Sequence, residues 1–329
     1  MSRLHGVAIS GTGSALPAHV VRNDAFADTL DTSDEWIRTR TGIRERRLAA
    51  LGETSATLGT QAARAALAAA NLEPADVDLI VCGTVTPDLM CPSTACLIQA
   101  GLGCRAVPAF DVSAACSGFI YALGVADQFV KAGGAKHALV IGAEVLSRVA
   151  DYTDRNTCIL FGDGAGAAVV SRSNDLTAGV HNVRLFSDGT RQNLVQMPSM
   201  VTPDPPPGAT LPQLRYLRMQ GREVFKWAVT RMTELIERGR AECSEYGKKL
   251  SLVIPHQVNS RIIDAAVEAS GLPPSAVMVN LDRYGNTSAA SVPIALDEAI
   301  AERRCGKGDT VLLVAFGGGL TWSSSLITL

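Results

Sequence analysis

The sequence predicts an α/β protein built from two similar halves, and three observations support this. Of the 329 residues, 47% are hydrophobic and 19% are charged, so the chain can bury large cores and is not disordered. Short aliphatic runs alternate with alanine-rich helical stretches, which is typical of βαβ units around a buried parallel or mixed sheet. The order of motifs in the first half returns in the second. We therefore expect two duplicated lobes, at 1–175 and 176–329, with a site between them.

Each half supplies the same sequence of elements. Aliphatic runs predict strands at 79–82, 109–112 and 138–141, with helices beginning near Ser93 and Cys116, and then strands at 252–254, 277–280 and 311–315, with helices beginning near Ser260 and Ser288. Residues 114–116 align with 289–291, which indicates the duplication. Between the repeats, about 180–215 is expected to be a surface loop, because the proline run at 203–208 fits neither a helix nor a central strand. A rigid linker between independent domains is the alternative.

Charge and cysteine usage exclude several classes of protein. The formal net charge is -2, so we expect no nucleic-acid partner and no attraction to an acidic membrane. No apolar stretch approaches the roughly 20 residues that a spanning helix needs, and the start lacks a signal peptide, so a soluble cytoplasmic protein is expected. The eight cysteines lack zinc-ligand spacing and no histidine lies within four positions of one, so we expect neither a metal site nor structural disulfides.

Cys116 is the candidate nucleophile. It follows a predicted strand and a turn of small residues, at the start of an apolar helix. Free backbone N–H groups and the helix dipole at that position predict a thiol with a pKa below its ordinary value. Because most cysteines in a chain are inert packing residues, a buried structural thiol is the alternative.

His256 and Asn286 are the candidate partners. His256 directly follows the predicted strand 252–254, and strand ends are where α/β sites collect. Asn286 follows Gly285 in a tight turn, and Ser288 is expected to cap the next helix. The repeat places Cys116 and Asn286 at nearly equivalent positions, so one Cys-His-Asn site is predicted, in which two N–H donors stabilise an enolate or carbonyl oxyanion. A hydrogen-bonded structural histidine is the alternative.

Six motifs together carry a specific resemblance that covers nearly the whole chain. They lie at 31–43, around Cys116, at 161–167, around His256, around Asn286 and at 316–322. With these motifs the sequence resembles the thiolase-fold condensing enzymes, specifically the β-ketoacyl-acyl-carrier-protein synthase III family. The resemblance implies a thiolase-like fold in which the two lobes form a layered α-β-α-β-α sandwich.

The resemblance also implies a ping-pong reaction that initiates fatty acid synthesis. Cys116 would take an acyl group from acyl-CoA as a thioester and release CoA. Malonyl-acyl carrier protein would bind second and lose CO2, while His256 and Asn286 donate hydrogen bonds to the enolate oxygen. Backbone N–H groups of Cys116 and Gly318 would form the oxyanion hole for the attack that follows. Acyl-CoA is then a substrate, and no cofactor is expected.

Five further residues match substrate contacts of the family. By resemblance, Trp36 stacks on the adenine of CoA, Arg40 and Arg155 neutralise its phosphates, Asn259 contacts pantetheine and Phe161 lines the acyl channel. The alternatives are a half-buried anchor for the tryptophan, surface ion pairs for the arginines and a helix cap for the asparagine.

Two further expectations concern partners. Arg222, Lys226 and Arg261 form a candidate basic patch for the acidic carrier protein, with a merely solvated charged face as the alternative. The family implies a homodimer in which Cys91 is donated to the end of the partner's acyl pocket. Members restricted to short starters carry a large aromatic there, so the small cysteine predicts tolerance of starters longer or more branched than acetyl.

Two other functions stay open at this point. One is a specialised condensing enzyme or acyltransferase of a secondary or polyketide pathway, which the same motifs allow. The other belongs to a different class, a non-catalytic cysteine-rich or metal-binding protein, which predicts bound zinc and no selective acylation of Cys116.

Overall fold

The structure, a computed structural model, describes residues 4–197 and 216–329. The strands are β1 (Gly6–Ala15), β2 (Val20–Arg22), β3 (Glu45–Arg47), β4 (Leu79–Gly83), β5 (Ala109–Val112), β6 (His137–Val145), β7 (Asp163–Ser173), β8 (Gly179–Ser187), β9 (Val195–Gln196), β10 (Arg218–Met219), β11 (Leu250–Pro255), β12 (Thr310–Gly317) and β13 (Thr321–Thr328). The helices are α1 (Asp24–Ala27), α2 (Asp34–Thr41), α3 (Ser55–Ala69), α4 (Thr94–Leu102), α5 (Gly118–Lys131), α6 (Gly221–Glu245), α7 (Ser260–Ser270), α8 (Leu281–Tyr284) and α9 (Ser291–Ala301).

The two large sheets have the same topology. The first has the order β1-β7-β6-β4-β5, and the second has the order β8-β13-β12-β11. In both, the first two pairings are antiparallel, and the pairing that follows, β6 with β4 or β12 with β11, is parallel. The chain has therefore repeated one arrangement of strands, so the predicted duplication of the α/β fold is confirmed, while the lobe bounds stay a prediction.

The second sheet departs from the prediction at its edge. The strand expected at 277–280 is wrong, because only Val277 forms a parallel bridge, to Val253. The Met278 N–H still donates to the Val253 carbonyl at 2.9 Å, but the Gln257 side chain takes the next hydrogen bonds: it donates to the Met278 carbonyl and accepts from the Asn280 backbone N–H at 2.9 Å. After one backbone hydrogen bond, a side chain therefore takes the place of the neighbouring strand.

Helices and sheets alternate in five layers. Helices α3 and α4 cover the outer face of the first sheet, α5 and α9 lie between the sheets, and α6 and α7 cover the outer face of the second. The alternation along β4 shows how the sequence builds two cores at once. Leu79 and Val81 face the central core, whereas Ile80 and Cys82 face the core beneath α3. The α-β-α-β-α sandwich is confirmed.

Two 3-10 turns bring the lobes into contact at the centre of the molecule. They are Ala115–Ser117 before α5 and Ser288–Ala290 before α9, so both α-helices begin slightly later than the sequence pattern predicts. Gly142 of β6 packs against the second turn: a Cβ atom there would lie 2.3 Å from the Ala289 carbonyl oxygen. Because no side chain separates these backbones, the residues on the two turns become neighbours.

The predicted interruption between the halves is only partly confirmed. Its first residues form a strand and not a loop. This strand, β8, lies at the edge of the second sheet, as β1 does in the first. Further along, β9 pairs with β10. The proline run at 203–208 lies outside the described residues. Within the ranges that the structure covers, no helix combines the length and the apolarity required to cross a membrane.

We predict that Gly142→Ala lowers the free energy of unfolding by about 1–3 kcal/mol, because the added methyl group must displace the Ala289 backbone in a closely packed interior. Urea unfolding followed by circular dichroism measures the loss. Gly306→Ala is the matched control, since a Cβ atom at Gly306 meets no atom of the described residues within 4 Å. Equal losses in both variants would contradict the packing argument.

Candidate active site

A cavity of about 1110 Å³ lies where the two 3-10 turns meet. Its lining includes Cys116, His256 and Asn286, together with Phe161 and Gly318. These residues come from both lobes and are far apart in sequence. The structure thus brings five of the predicted site residues to one place.

Cys116 occupies the first 3-10 turn, immediately before α5. Cys116 is half-buried at the cavity wall, and desolvation of its thiol raises its pKa to about 12, although the nearby Ser288 side chain and the residue's own N–H act in the opposite direction. The expectation of a lowered pKa is therefore wrong. The helix terminus is present as predicted, but desolvation of a thiolate outweighs it in this enclosed position, so the resting group is a neutral thiol.

His256 follows β11 and is buried against the base of the cavity. Its backbone N–H donates to the Val314 carbonyl at 2.7 Å, and its Nδ1 lies 2.6 Å from the Ser291 hydroxyl oxygen. The Phe316 ring packs edge-on against the imidazole at a centroid distance of 5.6 Å. Burial lowers the pKa of His256 to about 3, so the imidazole is neutral near pH 7.

Asn286 is held by its backbone and oriented by its side chain. Its N–H donates to the Leu160 carbonyl at 2.8 Å, and its own carbonyl accepts from the Gly162 N–H. Its Oδ1 accepts from the Ser288 backbone N–H at 2.8 Å. Because the amide oxygen is engaged there, the NH2 group is the end available to the cavity.

The glycine turn between β12 and β13 lies directly on the Cys116 turn. A Cβ atom at Gly317 would lie 2.5 Å from the Cys116 nitrogen, so only glycine allows this approach. The Thr321 hydroxyl donates to the Ala114 carbonyl at 2.9 Å and fixes the turn in place. The tightest contact is thus made by Gly317, while its neighbour Gly318 lines the cavity.

Two residues beside the thiol were missed by the sequence reasoning. The expectation that Ser288 caps the next helix is wrong, because α9 begins after Ala290 and has no side-chain cap. The Ser288 side chain instead lies close enough to Cys116 and to Glu144 of β6 to lower the pKa of both groups. Glu144 is fully buried. A carboxylate inside an otherwise apolar strand is a signal that the sequence does carry, whereas nothing in it distinguishes a capping serine from one that faces a thiol.

The predicted CoA contacts form a separate cluster near the surface. Trp36 lies on α2, with the Arg40 guanidinium 4.3 Å and the Arg155 guanidinium 5.0 Å from its ring centroid. Arg155 also pairs with the Asp31 carboxylate at 2.8 Å, and Asn259 caps α7 by accepting from the Arg261 N–H. The geometry thus contains the ion pair and the helix cap that were the alternatives, and the CoA roles stay predictions.

The predicted carrier-protein patch and Cys91 lie at exposed positions. Arg222 and Lys226 are on α6, and the Arg261 guanidinium reaches α6 from α7, 5.7 Å from the Phe225 ring centroid. Over residues 4–197 and 216–329, none of the three basic residues forms a salt bridge. Cys91 is exposed and does not line the cavity. In the same described ranges, no group of three or more His, Cys, Asp or Glu side chains is placed to hold a metal ion.

Comparisons with known proteins identify a family. The models of 3-oxoacyl-[acyl-carrier-protein (ACP)] synthase III and of its C-terminal part match residues 110–189 and 246–329. The β-ketoacyl-[acyl-carrier-protein] synthase III of Aquifex aeolicus is 49% identical over 322 residues, which cover 98% of this chain and 99% of that protein.

Solved structures of similar proteins superpose on nearly the whole chain. The crystal structure of 3-oxoacyl-[acyl-carrier-protein] synthase III from Aquifex aeolicus superposes with a TM-score of 0.89 at 50% identity, covering 98% of this chain and 100% of that one. The priming β-ketosynthase of the R1128 polyketide pathway superposes with a TM-score of 0.90 at 36% identity, covering 100% and 98%.

We predict that burial of neutral His256 makes the protein less stable in acid. In the unfolded chain the imidazole titrates near pH 6.5, while in the folded protein its pKa is about 3, so the unfolded state binds the extra proton between these values. Between pH 7.5 and pH 5, His256 should therefore remove about 2 kcal/mol from the free energy of unfolding.

Chemical denaturation of the wild type and of His256→Gln at both pH values checks this. The variant should lose about 2 kcal/mol less than the wild type over that range. Comparing each protein with itself cancels any effect of the substitution that does not depend on pH. Equal losses would show that His256 is not held neutral.

Proposed function

This chain belongs to the 3-oxoacyl-[acyl-carrier-protein] synthase III family, and from that premise we propose that it joins the acyl group of an acyl-CoA to malonyl-acyl carrier protein. The products are a β-ketoacyl-acyl carrier protein, CoA and CO2. The reaction is the condensation that initiates fatty acid synthesis. One observation carries the proposal: Cys116, His256 and Asn286 line a single cavity.

The first half-reaction is acyl transfer to Cys116. The sulfur attacks the thioester carbonyl, the bond to the CoA sulfur breaks, and the proton of the thiol ends on the departing CoA. The high pKa of Cys116 supports a thiol that loses its proton only as it reacts, with the N-terminus of α5 favouring the developing negative charge. No charge then has to persist in the buried site between turnovers.

The second half-reaction is decarboxylation followed by carbon-carbon bond formation. As CO2 leaves, its bonding electrons move into the malonyl thioester, and the enolate oxygen accepts hydrogen bonds from His256 and Asn286. If the Ser291 hydroxyl donates to Nδ1 of His256, the ring proton sits on Nε2 and is available to the cavity. A histidine with a pKa of about 3 donates a hydrogen bond without charging, which suits stabilisation of an anion.

The carbanion then attacks the acyl group on Cys116. We propose that the backbone N–H groups of Cys116 and Gly318 hold the tetrahedral oxyanion, as the close approach of the glycine turn supports. Collapse of this intermediate releases the Cys116 sulfur, which takes a proton from water and returns to the thiol. No resident cofactor takes part, because acyl-CoA is consumed as a substrate.

Substrate delivery is assigned to two surface regions. The cluster of Trp36, Arg40 and Arg155 presents an aromatic ring and two cations, which suits an adenine nucleotide with phosphates. Arg222, Lys226 and Arg261 present exposed positive charge around Phe225, which suits an acidic carrier protein. The family relationship supports a homodimer.

A second candidate is priming of a polyketide pathway. It has a specific observation in its favour, the 36% identity and near-complete superposition with the R1128 priming β-ketosynthase. Higher identity, 49% across nearly the whole chain, favours the role in fatty acid synthesis. The two roles use the same condensation reaction and differ in the starter acyl group and in the carrier protein.

We predict that variants of the three site residues lose different half-reactions. Cys116→Ser should abolish labelling by a radiolabelled acyl-CoA, because the acyl thioester needs the sulfur. His256→Ala and Asn286→Ala should keep labelling within about tenfold of wild type but lose about 100-fold or more in condensation, since only the enolate needs their hydrogen bonds.

Acyl transfer is measured as label on the protein, with peptide mapping of the modified site. Condensation is measured by adding malonyl-acyl carrier protein to the labelled enzyme. Cys158→Ser is the matched control, because Cys158 is a buried thiol that does not line the cavity. Label on another cysteine, bound zinc without label, or equal losses in both half-reactions would overturn the assignment.

We predict that the protein turns over starters larger than acetyl. The cysteine at position 91 leaves space at the end of the acyl pocket if the homodimer forms as proposed, so isobutyryl-CoA and hexanoyl-CoA should be used at rates comparable with acetyl-CoA. Cys91→Phe should lower the rate with the two larger starters and spare acetyl-CoA. A strict preference of the wild type for acetyl-CoA would refute the prediction.

A further inference from the structure

Glu144 is a buried ionisable group that borders the site and has no part in the reaction described above. It lies near the end of β6, with none of its surface exposed. Burying a carboxylate costs several kcal/mol unless it is well hydrogen-bonded. Its hydrogen bonds therefore indicate what it holds in place.

On one side, Glu144 binds the segment that follows β4. Its carboxylate accepts from the Val85 N–H at 3.1 Å, from the Thr86 N–H at 3.0 Å and from the Thr84 hydroxyl at 3.2 Å. The Thr86 hydroxyl donates to it as well. All three residues line the cavity. One carboxylate thus fixes this part of the cavity wall.

On the other side, Glu144 faces the second 3-10 turn. Gly142, two residues earlier on the same face of β6, already touches Ala289 of that turn, so Glu144 lies against its beginning. The Ser288 side chain lies close enough to both the Glu144 carboxyl group and the Cys116 thiol to lower the pKa of each. The Ser288 N–H holds the amide oxygen of Asn286.

Ser288 is therefore the link between Glu144 and the two groups that act on substrate. The φ angle of Ser288 is 48°, a left-handed conformation that serine rarely adopts, so its position must be enforced by contacts. Strand β6, which carries Glu144, packs against the second 3-10 turn and supplies such contacts.

We propose that Glu144 is a positioning residue, which acts through Ser288 to hold the Cys116 and Asn286 turns against each other and through residues 84–86 to fix the cavity wall. This inference rests on the proposed condensation, because it assigns Glu144 a part in orienting Asn286 towards the enolate. Glu144 itself touches no reacting atom.

Glu144 and Ser288 act on the pKa of Cys116 in opposite directions. Burial raises the pKa of Glu144 to about 7, so the group is mostly ionised at pH 8, and its charge then raises the pKa of Cys116, whereas the Ser288 hydroxyl lowers it. Among residues 4–197 and 216–329, the other titratable groups that line the cavity are Asp88 and Asp111, each accepting from backbone N–H, and neutral His256. Removing the charge of Glu144 should therefore make the thiol more reactive while it makes condensation slower.

The experiment compares Glu144→Gln, Ser288→Ala and the double variant. At pH 8, Glu144→Gln should speed alkylation of Cys116 by iodoacetamide about three- to tenfold, and Ser288→Ala should slow it. Both variants should slow single-turnover condensation of the preformed acyl-enzyme by about tenfold or more. Because both act through one link, the double variant should be within about twofold of the slower single variant.

Asp163→Asn is the matched control. Asp163 is also a buried carboxylate that accepts backbone N–H groups, from Ala49 and Ser147, but it does not line the cavity. Its loss should lower the melting temperature and leave alkylation unchanged, as a purely structural role would.

Each outcome of the experiment either supports or overturns the proposal. Faster alkylation together with slower condensation in Glu144→Gln supports the proposal. The proposal is overturned if the double variant loses condensation activity by the product of the two single losses. It is also overturned if the alkylation rates change only in proportion to the loss of melting temperature. If Glu144→Gln does not fold, slower alkylation and slower condensation in Ser288→Ala support the link, and wild-type rates overturn it. A wild type that fails to condense would refute the proposed function and leave the alkylation contrast as the test of Glu144.

Discussion

The site depends on the contact between two 3-10 turns, one from each lobe, that approach without an intervening side chain. Gly142 packs on the carbonyl of Ala289, and Gly317 packs on the nitrogen of Cys116. Interiors packed at this density transmit small displacements, so the relative position of the thiol, the imidazole and the amide is set by backbone contacts. The duplicated topology supplies the two turns, and glycine and alanine at their junction allow them to meet.

Burial is the second feature on which the site depends, because it favours the neutral form of both ionisable groups. It raises the pKa of the Cys116 thiol and lowers the pKa of the His256 imidazole, so both are neutral at rest. Charge then develops only while substrate occupies the cavity, where hydrogen-bond donors are already in place. A preorganised polar site of this kind stabilises a transition state without reorganising solvent.

The sequence predicted those features that have a local signature. The strands β4, β5 and β12 follow aliphatic runs, and Cys116, His256 and Asn286 each follow a strand or the position of one, so their convergence was foreseeable. The failures are tertiary in origin. The pKa of Cys116 is raised, against the prediction, because burial depends on the whole fold. The edge segment at 277–280 does not form the predicted strand, because the Gln257 side chain hydrogen-bonds to its backbone. The role of Ser288 depends on which strand packs beside it.

The neutral state of Cys116 bears on how the protein survives oxidising conditions. Peroxide reacts with thiolates far faster than with thiols, and the products beyond sulfenic acid are irreversible. A sulfur whose pKa is about 12 presents almost no thiolate between catalytic events. The same desolvation that makes the nucleophile dependent on its substrate therefore disfavours the form of the sulfur that peroxide attacks.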